Sequence, residues 1–270
     1  MTALLNAGAD VNAVNDDGKN IVCFATKNVI KDGFYQNTTD RWNRLSAAGL
    51  LLQHGANVNA LMPDGRSPLY VTVSALADAR RWGPQYRKCV YELLRLLVTY
   101  GADLHDSSRQ LRANVYRRPL NTLTLTTPAG DYYFIVELFR AGAGLALLAH
   151  CYNVVASIHP GAKSISLCQA AVLAGYVPSD EELHQLQLEA AGNHLIQQLV
   201  NWLNEDRQQV PSLLRQCCVV IRRQLSAAAR FRSILPAIDK LPVPNIVKLY
   251  LQFDGPLSEV DLNVFMPNQP

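Results

Sequence analysis

The stretch GANVNALMPDGRSPLY, residues 55–70, decides the fold because parts of it recur along the chain. Its opening phrase returns almost unchanged at 8–13, in shorter form at 101–104, and as a bare Gly-Ala at 142–143. An apolar, mostly leucine-rich stretch precedes each copy. Glycine suits the left-handed residue that ends a helix, and the polar residues after it suit a tight turn. The pattern predicts repeated units in which a helix ends in a turn.

The second half of the stretch marks where another helix begins. Pro68 follows Gly55 by 13 residues, just as Ile21 follows Gly8. Proline starts a helix well because its missing N–H is one that the first turn could not use. Ser-Pro-Leu-Tyr at this offset lies in the register of the ankyrin repeat, whose period is about 33 residues. We therefore expect an all-α solenoid of stacked helix pairs over residues 1–206.

The first two intervals between the glycines exceed the ankyrin period, and the excess lies between the two helices of a repeat, at about 28–43 and 77–88. Surface loops tolerate such inserts because closure entropy grows slowly with length. We expect the two inserts to form one ridge that carries Phe34, Tyr35, Trp42, Arg81, Trp82 and Tyr86. Arg81, Trp82 and Tyr86 are the candidate substrate contacts, since these residue types are enriched at binding hot spots. The alternative is that the aromatic side chains pack inward and anchor the loops.

The repeat phrases fade after about residue 145, and we interpret the region from there to residue 206 as degenerate last repeats. Gly175 is the next candidate for a helix-ending glycine. Ser179 and Glu182 have the spacing of a capping box, which predicts a helix running towards Ala191. A further helix is expected from His194 to Leu203, with a polar linker after it at 204–209.

The sequence changes character after this linker, and two motifs appear. Leu213, Cys217 and Ile221 lie four residues apart and share one face of a predicted helix. Leu-Pro-Val-Pro occurs further along the chain, at 241–244. About 45 residues in three short helices are too few for a strong core of their own. The segment therefore needs a neighbour, either the repeats or another protein.

With these motifs, the chain resembles the ankyrin repeat and SOCS box family, where SOCS abbreviates suppressor of cytokine signalling. The family's Elongin-binding element is matched by Ser212, Leu213, Cys217 and Ile221. Its cullin-binding element is matched by Leu241, Pro242, Val243 and Pro244, with valine in place of the commoner leucine. The resemblance implies a SOCS box at 210–255 that docks on Elongin C, with Elongin B, and on cullin five with its RING partner.

The same resemblance implies a function without catalysis or cofactor. The chain would be the substrate-recognition adaptor of a ubiquitin ligase, and the repeats would hold an unidentified protein substrate. Two alternatives remain open. The chain could be a non-catalytic ankyrin scaffold whose SOCS box is structural or only sequesters Elongin, and the apolar stripe at 213–221 could be plain core, as such stripes usually are.

Composition excludes other classes of protein. A formal net charge of +3 over 270 residues is too mild for a nucleic-acid binder, and no apolar run approaches the length of a membrane span. The six cysteines form no Cys-x-x-Cys pair and the chain starts without a signal sequence, so we expect reduced thiols and a cytoplasmic or nuclear location. His150, Cys151, His159 and Cys168 do not have zinc-ligand spacing.

The sequence also leads to a prediction for each end of the chain. Residues 1–5 have the pattern of the second helix of a repeat that lacks its first, so we expect an incomplete product or frayed residues at 1–15. Residues 256–270 are expected to be a loose tail.

Overall fold

The computed structural model describes residues 2–31, 38–78, 84–104, 133–142, 162–230 and 232–253. These residues contain twelve α-helices and no β-strand, which confirms the all-α prediction. The helices are α1 (Thr2–Asn6), α2 (Ile21–Ile30), α3 (Thr38–Gln53), α4 (Pro68–Asp78), α5 (Pro84–Thr99), α6 (Tyr133–Arg140), α7 (Ala162–Leu173), α8 (Asp180–Ala190), α9 (His194–Gln208), α10 (Leu213–Ala229), α11 (Leu235–Asp239) and α12 (Asn245–Leu251). The chain divides into two compact units, Met1–Thr126 and Thr127–Pro270.

The first unit is built from helix pairs. Helices α2 and α4 begin at Ile21 and Pro68, as predicted, and each packs against the next helix along the chain. The pairs also contact each other, α2 against α4 and α3 against α5. Apolar side chains such as Leu51 and Leu93 are almost completely buried between them. Two helix pairs that contact each other are therefore present in the first unit.

The helix-ending glycines have the predicted conformation in both units. Gly8, Gly55, Gly101, Gly142 and Gly175 have φ between +83° and +101°. At Gly55, the glycine N–H donates to the carbonyl of Leu52 and the next N–H donates to the carbonyl of Leu51. These two bonds form a Schellman motif, which satisfies carbonyls that the helix leaves unpaired.

Two asparagines join consecutive turns of the first unit. The Asn12 Oδ1 atom accepts from the backbone N–H of Asn57 at 2.7 Å, and Asn59 Oδ1 accepts from Asp103 N–H at the same distance. Asn59 also donates its amide to the carbonyl of Gly101. Each turn thus supplies a partner for a backbone donor of the next turn, which aligns successive repeats.

The two inserts are partly helical. Helix α3 begins at Thr38 and α5 begins at Pro84, so much of the predicted insert length forms additional helical residues. Tyr86 is only 6% exposed, its hydroxyl donates to the carbonyl of Ile30 at 3.1 Å, and the guanidinium of buried Arg41 lies 4.6 Å from its ring centroid. Tyr86 therefore packs inward, which is the alternative that the sequence left open.

Of the other residues of the expected ridge, only Trp42 is among the described residues. Trp42 is half-buried. The predictions for Phe34, Tyr35, Arg81 and Trp82 lie outside the described residues.

The second unit begins with the less regular helices. Helix α8 has the predicted capping box, since Ser179 Oγ accepts from Glu182 N–H and Glu182 Oε2 accepts from Ser179 N–H. The predicted linker at 204–209 is wrong, because α9 continues to Gln208. Its polar residues are compatible with a helix because they lie mostly on its exposed side and form ion pairs, such as Arg207 with Asp180. The predicted loose tail at 256–270 lies outside the described residues.

Candidate docking site

The site is organised around α10, which begins at the first motif. Ser212 is the N-cap residue, and its Oγ accepts from the backbone N–H of Arg215 at 3.2 Å. This bond satisfies one of the donors that a helix start leaves unpaired. The serine before Leu213 therefore has a structural role as the N-cap. Because it fixes where the helix begins, it also fixes which later side chains share a face.

The predicted stripe lies on the exposed face of α10. Leu213 is 76% exposed, Cys217 is also exposed, and Ile221 is half-buried. Val220, on the same face, is 56% exposed. A core stripe would be buried, so the stripe is a surface that the described residues leave largely uncovered. The opposite face, with Cys218 and Arg222, is buried.

The second motif forms the connection between α11 and α12. Leu241 and Val243 are half-buried, whereas Pro242 and Pro244 are exposed. Pro244 is the residue before α12, as expected for a proline that fixes the entry to a helix. Lys248 of α12 and Gln252, the residue after α12, donate hydrogen bonds to Asp239 at the end of α11, so the two helices that flank the connection are joined.

Helices α10 to α12 pack on two of the glycine turns. A Cβ atom on Gly142 would lie 2.7 Å from Ile234 Cδ1, and one on Gly175 would lie 2.8 Å from Val219 Cγ1. The backbone N–H of Ile234 donates to the carbonyl of Ala141 at 2.9 Å. The neighbour that this short segment needs is therefore supplied by the preceding helices. The sequence indicated these glycines only through their conformation, not through this close approach.

A charged residue of α10, Arg222, is also buried, and it belongs to neither motif. Its guanidinium donates to the carbonyls of Leu251 and Phe139, lies 3.4 Å from the carbonyl of Arg140, and stacks 4.4 Å from the ring centroid of Phe253. Among the described residues it has no carboxylate partner. Its acceptors are instead the last carbonyls of α6 and α12.

These carbonyls explain how the charge is tolerated. The C-terminal ends of helices carry partial negative charge, so two helix dipoles compensate one guanidinium. Burial lowers the pKa of Arg222 to about 10, and at neutral pH the side chain is still charged. Arg222 thereby connects the helix that carries the first motif to the helix that comes after the second.

The metal-ligand and thiol side chains can be followed over the described residues. No three His, Cys, Asp or Glu side chains of the described ranges lie close enough to hold a metal ion. Cys168 is buried, whereas His150, Cys151 and His159 lie outside the described residues. Burial raises the pKa of the Cys218 thiol, which disfavours the reactive thiolate. In the part of the chain that can be described, no helix has the length and hydropathy of a membrane span.

Comparison with known families identifies the segment. Residues 209–252 match the family model of the SOCS box, close to the predicted bounds of 210–255. A search of curated proteins finds no match. A SOCS box indicates an adaptor of the Elongin B/C–cullin type of ubiquitin ligase, and such boxes generally bind Elongin B/C and a cullin.

Proposed function

We propose that this chain, whose residues 209–252 match the SOCS box, is the substrate-recognition adaptor of an Elongin B/C–cullin five–RING ubiquitin ligase. The box docks Elongin C, which brings Elongin B, and binds cullin five with its RING partner. The helix-pair repeats, of the ankyrin type, bind the protein substrate. The chain performs no reaction and needs no cofactor; it raises the effective concentration of substrate near the transferred ubiquitin.

The observation that carries the proposal is the uncovered apolar stripe on α10. Leu213, Cys217 and Val220 lie within two helical turns and face solvent. Exposed apolar patches on otherwise well-packed chains mark interaction sites, and a helix with anchors at i, i+4 and i+7 fits a partner's groove. Two side chains that the family element requires, Leu213 and Cys217, are thus exposed to solvent.

The ankyrin type of the repeats is supported by the helix pairs, the Schellman turns and the asparagine bonds between turns. For the substrate surface we keep Arg81 and Trp82, together with the turns near Asn59 and Asp103. Tyr86 contributes by holding α5 against Ile30. The five described cysteines are free thiols, in keeping with the proposed cytoplasmic or nuclear location.

One observation favours the second candidate, a scaffold whose SOCS box is structural or only sequesters Elongin. The box buries Ile234 and Arg222 against the ends of α6 and the Gly142 turn, so it also completes the second unit. The two candidates differ in cullin binding. Co-purification of cullin five with the full chain and Elongin B/C supports the adaptor, and its absence supports the scaffold.

Truncating the stripe tests the Elongin contact directly. The double variant Leu213→Ala, Cys217→Ala should lose Elongin B/C in a pull-down, because removing a central anchor typically costs about 2 kcal/mol or more. Cullin should be lost with it. The matched control is Leu61→Ala, Leu188→Ala, which shortens two other exposed leucines. If the stripe variant pulled down as much Elongin B/C as the wild type, the proposal would be refuted.

A further inference from the structure

A groove lies beside the exposed stripe, between α10, the end of α9 and the loop that precedes α8. Its volume is about 430 Å³. Leu203 and Val172 form a buried floor, and Val177 and Val220 line it with exposed fractions of 75% and 56%. Clefts of roughly 300–1,000 Å³ bury most of the surface of a drug-sized ligand. The groove is thus large and apolar enough to hold a short peptide segment.

The charged side chains around the groove indicate which kind of occupant it favours. Asp206 accepts from the guanidinium of Arg215, and Arg207 pairs with Asp180. Arg223, which is exposed, donates to the carbonyl of Gly175 at 3.0 Å. Among the described lining residues, it is the one cation for which no carboxylate is present. An occupant that carries a carboxylate is therefore electrostatically matched to this groove.

Val220 connects the groove to the docking stripe. It lines the groove and lies on the same helical face as Leu213 and Cys217. A partner that covers this face necessarily reaches the rim of the groove. The continuity of the two surfaces favours one partner for both over a second, unrelated ligand.

We propose that the groove is a second subsite for Elongin C, filled by an extended apolar segment whose carboxylate pairs with Arg223. The inference rests on the proposed function, since it takes Elongin C as the protein on the stripe. It adds a contact outside the family element, made by Val177 and Arg223. The affinity for Elongin then depends on the loop before α8 as well as on the box itself.

The test measures the affinity of the full chain for purified Elongin B/C. Val177→Asp and Arg223→Ala should each weaken binding by about five- to tenfold, and Arg223→Ala should also reduce the dependence of affinity on salt concentration. Val14→Asp, at another exposed valine, is the matched control and should bind like the wild type. Leu213→Ala reports on the proposed function in the same assay.

The outcomes separate the two hypotheses. If Leu213→Ala weakens binding but both groove variants bind like the wild type, the subsite is refuted and the proposed function stands. If Leu213→Ala also binds like the wild type, the proposed function fails. A photo-crosslinking residue at position 177 gives an independent measurement. An adduct with an Asp- or Glu-containing peptide of Elongin C supports the subsite, whereas an adduct with residues 254–270, a second copy or Elongin B overturns it.

Discussion

Arg222 lies directly after the last residue of the first motif, and its neighbours in sequence do not mark it as buried. On a helix, however, it points away from Leu213 and towards α6 and α12. A long cationic side chain is suited to this place because several N–H groups can reach carbonyls on two helices at once. Arginine usually lies at the protein surface, but here Arg222 is buried and joins the helices of the box.

Replacing Arg222 should destabilise the second unit. Arg222→Met keeps much of the volume but leaves the carbonyl of Leu251 without its donor, whereas the carbonyl of Phe139 still accepts from the backbone N–H of Gly142. Because an unpaired buried carbonyl costs about 1–3 kcal/mol, we expect a loss of about 1–3 kcal/mol in the free energy of unfolding. Denaturant unfolding measures this loss.

Arg222→Lys is the control for charge. It retains the cation but has fewer donors, so its stability should lie between those of Arg222→Met and the wild type. A methionine variant as stable as the wild type would show that apolar packing, and not the carbonyl bonds, holds the box.

At the scale of elements, the glycine turns have two different roles. Gly55 ends a helix with positive φ and has no atom near the place of a Cβ, whereas Gly142 has the same conformation and faces Ile234. The first glycine is required by backbone conformation alone. The second is required in addition by close packing between the turn and the segment before α11.

The comparison of two alanine variants separates these roles. Gly55→Ala and Gly142→Ala both place a side chain at positive φ, which costs about 1–2 kcal/mol. Gly142→Ala should cost about 1–3 kcal/mol more, because its Cβ collides with Ile234 and the packed side chains must shift. Each loss is measured on the unfolding transition of the unit that carries the glycine.

Ile234→Ala gives a second check of this element. It removes the atoms that the new Cβ would meet, so the double variant with Gly142→Ala should recover part of the additional loss. Equal costs at both glycines, with no recovery, would mean that the turn relaxes freely around the added methyl group.

At the scale of the whole molecule, the second unit presents two motifs with different surroundings. The first lies on an exposed helix face, and the second is a connection whose prolines are exposed while Leu241 and Val243 are half-buried. Helix α12 packs on α10, so the two surfaces belong to one compact unit. An adaptor of this kind can bind two ligase subunits with separate residues.

The Pro242→Ala, Val243→Ala variant tests this division. Cullin five should bind more weakly, since the variant removes the exposed ring of Pro242 and most of the Val243 side chain from the cullin-binding element, while Pro244 still fixes the entry to α12. Elongin B/C should bind as before, because the α10 stripe is unchanged. Both affinities can be measured on the assembled full-chain complex. Loss of both partners, together with a lower melting temperature, would mean that the box unfolds and that the motifs are not independent.

The amino-acid sequence by itself determined the starts of α2, α4, α8, α10 and α12, the helix-ending glycines, the capping box and the position of the SOCS box. These features are local, because a glycine at positive φ, a proline at a helix start or a serine cap acts within a few residues. The apolar stripe could also be located, although its periodicity is the same for a core face and for a docking face.

Only the tertiary structure decided which faces are covered. It placed Tyr86 inside and Leu213 outside, extended α9 through the polar residues at 204–209, and joined Arg222 to two distant helix ends. Burial depends on which elements meet in space, and the contacts of Arg222 span 29 to 83 residues of chain. No local pattern carries that information, because each partner is an ordinary backbone carbonyl until the fold brings it to the guanidinium.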